Sequence, residues 1–556
     1  MTTGLRRALL AFFLGFWALT SPALAAWHKA ESERFVIYSD SRPEDLRKWA
    51  EMLERYHAAI ELETRFRLPA PSPSNRLTIY MVGSMDDLRQ VYGNRRSAVG
   101  GFYIPRANGS VTFVPNVSKR NRDRTAGLGT RRRKGVSNAS LPREMRIVLH
   151  EYAHHFLISS SRAAMPRWLS EGSAEYFSSA RFNSDGSVDI GLPNNARAWE
   201  ISQAAPVSVR ELLDYQLYRK NVGSRYDAFY GRSWLLYHYL RFNPARKGQL
   251  QQYWGAVATG TDSLEAGEAI FGDLDQLEKE LRKYGRERSM AGMRMPSEAI
   301  AVGSISTSKL SDSHSAMMDV IINSKRGVSR KAALELLPTA QKIVSRYPED
   351  AEAFAALAEA EYDAGNDDAA IAAADRAIAL NPETKNAYVQ KGYALFRKAR
   401  NIEDPAERDK AYVAAMKPFE ALNALEADHT QPLIYYYRSF IERGAKLPDD
   451  AKFALERATQ LAPFDQELAM ETASMLALGG ESNISRILLN PVASDPHGGR
   501  EAKIAQAMLN YLDRVPDAKT VDLSQIARAY DEAREKARAE AEDDDSSGDA
   551  DDGSEG

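Results

Sequence analysis

Residues 150–155 read His150-Glu151-Tyr152-Ala153-His154-His155, inside a run from Arg143 to Arg162 that contains no glycine or proline. Met145, Val148, Leu149, Phe156 and Leu157 recur along this run at helical intervals, so the spacing predicts an amphipathic helix. Ser140 is placed to cap its N-terminus, and Pro142 falls near the first turn, where a missing N–H costs nothing. Positions i and i+4 of a helix share a face, so the rings of His150 and His154 can turn towards one metal ion, with Glu151 beside that face. His155 lies about 100° further round and is expected to pack or hydrogen-bond locally.

A second segment, Trp168-Leu169-Ser170-Glu171-Gly172-Ser173-Ala174-Glu175-Tyr176-Phe177, adds two carboxylates four residues apart, which a helix presents on one side. The two segments together supply two imidazoles, a carboxylate and a further carboxylate to take a proton. That is the complement of a catalytic zinc with three protein ligands and one open position. Either Glu171 or Glu175 can be the ligand on this reading, and the other then accepts the free ring N–H of a ligating histidine.

His150-Glu151-x-x-His154 followed by Trp168-Leu169-Ser170-Glu171-Gly172 resembles the gluzincin metallopeptidases, especially their peptidase MA-like and aminopeptidase N-type branches. The resemblance implies an α+β zincin-like domain, with a mixed sheet and an active-site helix. It implies Zn2+ held by His150, His154 and Glu171, Glu151 as the general base, and Glu175 as the carboxylate that orients a histidine. Further on, Tyr226-Asp227-Ala228-Phe229-Tyr230 is similar to the segment that carries the oxyanion-stabilising tyrosine of aminopeptidase-type members. Tyr230 matches that tyrosine, although Gly231-Arg232-Ser233 departs from the family pattern; Tyr226 and His238 are rivals for the role. No G-x-M-E-N motif is present to anchor a free amine, so the expectation is an endopeptidase. The alternatives are an exported repeat scaffold with a catalytically inactive metallopeptidase-like domain, and a zinc hydrolase acting on something other than peptides.

The 556-residue chain is long enough for two or three domains, and its formal charge of −3 carries no nucleic-acid signature. Arg6 and Arg7 precede an apolar stretch, Ala8 to Leu19, and then Ser21-Pro22-Ala23-Leu24-Ala25-Ala26, the pattern of a secretory signal peptide over residues 1–25. The apolar stretch is shorter than the ~20 residues needed to cross a bilayer, so no permanent span is expected. The chain has no cysteine, which excludes disulfides, thiolate ligands and a cysteine nucleophile. Together these point to a periplasmic or secreted protein.

Residues 27–290 are assigned to the metallopeptidase-like domain. Strands are expected at 34–39 and 76–82 with a long helix between them, Pro43 to Phe66. Segments 99–105 and 110–114 flank Asn108-Gly109, a hairpin signal. By resemblance this hairpin is the edge along which an extended substrate would pair. The basic stretch 119–134 reads as a solvated loop, and residues 291–329 as a linker or junction.

Pro348 and Pro382 lie 34 residues apart, as do His429 and Pro463. Phe354, Leu357, Ala358, Ala370, Ala374 and Ala377 fill the large and small positions of a tetratricopeptide unit. The chain here resembles tetratricopeptide repeats, which implies an all-α repeat domain over 330–515 and a protein partner beside the polypeptide substrate. Residues 516–556 are expected to hold a C-terminal helix and a disordered acidic tail.

Overall fold

Apolar residues of the segments 35–39 and 77–82 place two strands side by side, joined by a helix that covers one face. The computed structural model describes residues 26–97, 99–116, 141–161, 163–222, 225–495 and 499–514. The expectations for residues 1–25, Ser140, 119–134 and 516–556 lie outside the described residues. The strands in chain order are β1 (His28–Glu31), β2 (Phe35–Ser39), β3 (Leu77–Val82), β4 (Phe102–Ile104), β5 (Val111–Pro115), β6 (Arg181–Phe182), β7 (Val188–Ile190), β8 (Met293–Met295) and β9 (Ser306–Lys309). Six of them form a mixed sheet in the order β4-β5-β3-β2-β1-β9, and β6-β7-β8 form a small second sheet. The β2–β3 and β3–β5 pairs are parallel, whereas β4 runs antiparallel to β5 at the sheet edge. Gly109 closes the β4–β5 hairpin at φ +85°, a conformation that costs glycine little.

Helix α1 (Pro43–Thr64) is the β2–β3 crossover; Pro43 starts it, and Leu46, Ala50, Leu53 and Ile60 form its buried stripe. After α2 (Met85–Tyr92) come α3 (Arg143–Ser161), which carries the His150–His155 segment, and α4 (Arg167–Ser178). Val148, Leu149, Tyr152 and Phe156 of α3 join Trp168, Leu169 and Phe177 of α4 in one core with α1 and the sheet. Two polar contacts from α1 pin α3: the Tyr56 hydroxyl donates to the Leu149 carbonyl at 3.0 Å, and His57 Nδ1 lies 2.7 Å from the Tyr152 hydroxyl. Seven further helices complete this region: α5 (Asn195–Gln203), α6 (Val209–Leu213), α7 (Tyr215–Val222), α8 (Phe229–Phe242), α9 (Gln249–Ala258), α10 (Ser263–Phe271) and α11 (Leu274–Tyr284).

Residues 291–329 are not a linker. They contribute β8 and β9, one strand to each sheet, and then α12 (Asp312–Arg326), whose Met318 and Ile322 pack with β3, β5 and α2. Polar β9, Ser306-Thr307-Ser308-Lys309, lacks the apolar pattern of a strand; backbone pairing with β1 recruits it to the edge.

Helical repeats of the tetratricopeptide-like kind follow. α12 packs with α13 (Arg330–Arg346), and the hairpin α14 (Ala351–Ala364) and α15 (Asp367–Leu380) comes next. α16 (Lys385–Arg400) is answered by two short helices, α17 (Pro405–Ala415) and α18 (Lys417–Leu425), because the extra residues near 400–410 divide its partner in two. α19 (Thr430–Arg443) with α20 (Asp449–Leu461), and α21 (Gln466–Leu478) with α22 (Ser482–Ala493), continue the array, and α23 (Arg500–Arg514) packs on its end. Ala353, Ala356, Ala360, Ala374 and Ala377 are buried where α14 and α15 meet, and their small size lets the backbones approach.

One repeat landmark shifts. Pro348, Pro382 and Pro463 each stand two residues before a helix N-cap, at Asp350, Thr384 and Asp465. His429 is itself the N-cap of α19, its ring accepting from Gln431 N, so Ala427 occupies the equivalent place. The 34-residue spacing from His429 to Pro463 is a coincidence of number.

Candidate metal centre

Helices α3 and α4 pack on each other and bring their polar faces together. Nε2 of His150 and Nε2 of His154 are 3.1 Å apart. Glu171 Oε2 lies 3.3 Å from the first and 3.5 Å from the second. A tetrahedral zinc with bonds of ~2.0–2.1 Å needs ligand atoms ~3.3 Å apart, which these three edges bracket. Among the described residues, His150, His154 and Glu171 are the group of histidine and acidic side chains close enough to hold a metal ion.

The charge balance suits a cation. Glu171 is fully buried, and a buried carboxylate needs opposite charge close by. Burial opposes charging of the His150 imidazole, yet the Glu171 and Glu175 carboxylates outweigh it and hold its pKa well above the ordinary value. Burial also pushes the Glu175 carboxyl up, but His150 and Arg197 dominate and keep it well below the usual carboxylate range.

The rear nitrogens of both imidazoles are engaged. His150 Nδ1 lies 3.3 Å from Glu175 Oε1, and His154 Nδ1 lies 3.2 Å from Ser170 Oγ. Glu175 is anchored in turn, since Arg197 Nη2 donates to Oε1 at 2.6 Å and Asn194 Nδ2 donates to Oε2 at 3.0 Å. Such contacts set the ring orientation that presents both Nε2 atoms forward. Gly172, directly after Glu171, allows α8 to press against α4: a Cβ there would meet the Ser233 carbonyl oxygen at 2.5 Å.

Tyr230 sits in the first turn of α8, within the field of Glu171 and Arg167, with the Arg197 guanidinium 5.0 Å from its ring centroid. Burial, then Glu171, push its phenol up to about 12 against the pull of Arg167, so it is a donor at neutral pH. The rivals are placed elsewhere. Tyr226 is 63 % exposed, and buried His238 is occupied by the Tyr284 hydroxyl at 2.7 Å and the Gly191 carbonyl at 3.0 Å. His155 faces away from the centre, its Nδ1 2.7 Å from the Tyr103 hydroxyl and its ring against Phe464.

Glu151 and His154 line a cavity of about 470 Å³ that also reaches β4 and the repeats. Sequence reasoning placed no role on Ser170, Asn194, Arg197 or Arg167. Ser170 stood inside the quoted Trp168–Phe177 segment and Arg167 immediately before it. Asn194 carries only the signal of a helix cap, which it is for α5, and Arg197 carries none.

The chain is similar over about a third of its length to solved structures of helical-repeat and other proteins, two of which follow. A thermophilic TPR protein of Thermus thermophilus is 16% identical, with a TM-score of 0.26, and the match covers 36% of this chain and 95% of that one. The MamA RS-1 ArsTM double mutant is 15% identical, with a TM-score of 0.25, covering 33% of this chain and 93% of that one. No family model matches the chain, and no curated protein matches it. No helix among the described residues is long and apolar enough to cross a membrane.

Proposed function

We propose that this chain is a zinc-dependent peptide hydrolase of the gluzincin type, an endopeptidase, exported to the periplasm or beyond, with repeats that contact protein. The observation that carries the reading is the triangle of His150 Nε2, His154 Nε2 and Glu171 Oε2, with edges matching a tetrahedral zinc. His150, His154 and Glu171 would hold the metal, with Glu175 and Ser170 orienting the rings. When bound, zinc supplies Lewis-acid polarisation of a carbonyl and activation of water.

The remaining chemistry belongs to the chain. Glu151 projects into the cavity beside His154, where its carboxylate can take a proton from the attacking water and return it to the leaving amine nitrogen. Tyr230, protonated and within the field of Glu171, would donate to the carbonyl oxygen as negative charge develops there. The Arg167 guanidinium, held by the Tyr215 hydroxyl at 2.6 Å, adds positive charge near the phenol.

The reading predicts about one zinc per chain by elemental analysis, lost in His150→Ala. Glu151→Gln keeps the metal and abolishes cleavage of an unstructured protein substrate; cleavage that survives this substitution sinks the mechanism. A second reading is supported by the repeat array, which occupies most of the chain after residue 312. It makes the protein an interaction scaffold whose metal centre does no chemistry. Zinc bound stoichiometrically with no cleavage by wild type, across a peptide library, selects this second reading.

A further inference from the structure

The cavity that holds Glu151 and His154 has walls from distant parts of the chain. One wall is the sheet edge, with Gly101, Phe102 and Tyr103; the other comes from the repeats, with Phe464, Leu488 and Val492. The two walls are tied at the hairpin tip. Ala107 N donates to Asp465 Oδ2 at 2.7 Å, and the Thr430 hydroxyl donates to the Ala107 carbonyl. The spacing of the cleft is therefore set by contacts already made, which lowers the ordering cost of binding.

Helix α22 is apolar on two sides. Leu489 and Val492 are buried against α21 and α23. Ile484, Ile487, Leu488 and Pro491 follow the i, i+3, i+4, i+7 pattern of a second face, yet Ile484 is 46 % and Ile487 57 % exposed. Three of these four, Ile487, Leu488 and Pro491, line the cavity. Apolar side chains left uncovered around a cavity of this size mark a ligand site.

We propose that the repeats form the specificity wall of this cleft, which takes an extended polypeptide and seats a bulky apolar side chain, of the leucine or phenylalanine class, against Ile487, Leu488 and Phe464. The polypeptide is the occupant because the facing wall is a sheet edge: β4 ends the sheet and pairs only with β5, so among the described residues no strand takes its outer edge, which can accept an added one. Glu151, His154 and Ser170 line the cavity beside the sheet edge; on the repeat side Ile487, Leu488 and Pro491 are joined by the polar Thr459, Gln466, Ser494 and Asp495, and the apolar ones offer the seat for a side chain. The seating of the chain stands by itself; only its cleavage rests on the hydrolase reading above.

Binding is measured by fluorescence anisotropy with zinc-loaded Glu151→Gln protein and two labelled decapeptides that differ only in a central Leu-Phe or Ser-Ser pair. The Leu-Phe peptide is expected to bind about ten-fold or more tightly. Ile487→Asp and Ile487→Trp, introduced separately at this exposed position, each shrink that ratio to about three-fold or less. Equal binding of the two peptides, or discrimination that survives both substitutions, overturns the assignment. Cleavage of the Leu-Phe peptide by zinc-loaded wild type is scored separately: its absence removes the hydrolase reading and leaves the binding result to decide the cleft.

Discussion

In the repeats, Ala353, Ala374 and Ala377 are buried against helices adjacent in the chain, and the helix caps Asp350 and Asp465 bond to backbone three residues away. At the candidate metal centre only the His150–His154 pair is so local. Glu175 is held by Arg197 from another helix, His150 and Glu171 come from different helices, and β9 joins the sheet at its edge by pairing with β1 from the other end of this region. The repeat array is thus built from many small near-neighbour contacts, while the centre depends on a few charged atoms placed from afar. A single substitution should be absorbed in the first and felt sharply in the second.

The largest effect is expected at the ligand triangle. On the proposed hydrolase reading, Glu171→Gln removes the charged corner, and peptide cleavage should fall by about a thousand-fold or more with zinc no longer retained on dialysis. Retention of stoichiometric zinc by this variant would break the comparison at its centre. Gly172→Ala, which drives a methyl into the Ser233 carbonyl, should cost roughly 1–3 kcal/mol of stability in urea unfolding. Arg197→Ala removes one of the two anchors of Glu175, leaving Asn194, and should weaken zinc about 10–100-fold in chelator competition, with the fold intact.

The joint between the two regions gives an intermediate case. Glu426 accepts from Ser74 N at 3.0 Å, from the Ser74 hydroxyl at 2.8 Å and from Lys385 Nζ at 2.6 Å. Burial raises its carboxyl, but Lys385 and Ser74 prevail and bring it down to about 2 from 4.5. A depressed carboxyl stabilises the folded state fully above its unfolded value, so this contribution is lost as pH falls from about 4.5 through about 2. Glu426→Gln should lower stability by about 1–2 kcal/mol at neutral pH and flatten that part of the pH profile. The smallest effect is expected on the repeat surface, where Asp368→Ala breaks an exposed pair with Lys398 and should change stability by less than about 0.5 kcal/mol.

Much of the centre was legible because its spacing is helical. His150 and His154 differ by four residues, so any helix there puts both on one side, and Glu171-Gly172 follows in a segment whose glycine has a packing reason. The β4–β5 hairpin was legible through Asn108-Gly109, although β4 is shorter than expected and β5 is shifted by one residue. Arg197 and β9 were not legible, since an arginine on a surface helix and a Ser/Thr/Lys tetrapeptide are ordinary until the fold gives them partners. The register of His429 misled because a repeat of number is not a repeat of geometry: the N-caps Asp350 and Thr384 stand 34 residues apart, but the N-caps His429 and Asp465 stand 36 apart.

The sequence by itself determined the helix that aims two imidazoles at one point, the small residues that let helices stack, and the residue types a zinc centre would need. These follow from periods of three to four residues, which local backbone geometry enforces. Only the tertiary structure decided that Glu171 completes the triangle, that Glu175 and Ser170 hold the rings, and that the repeats wall the cleft beside Glu151. Those placements depend on contacts between segments tens to hundreds of residues apart, where chain spacing carries no distance and packing alone sets it.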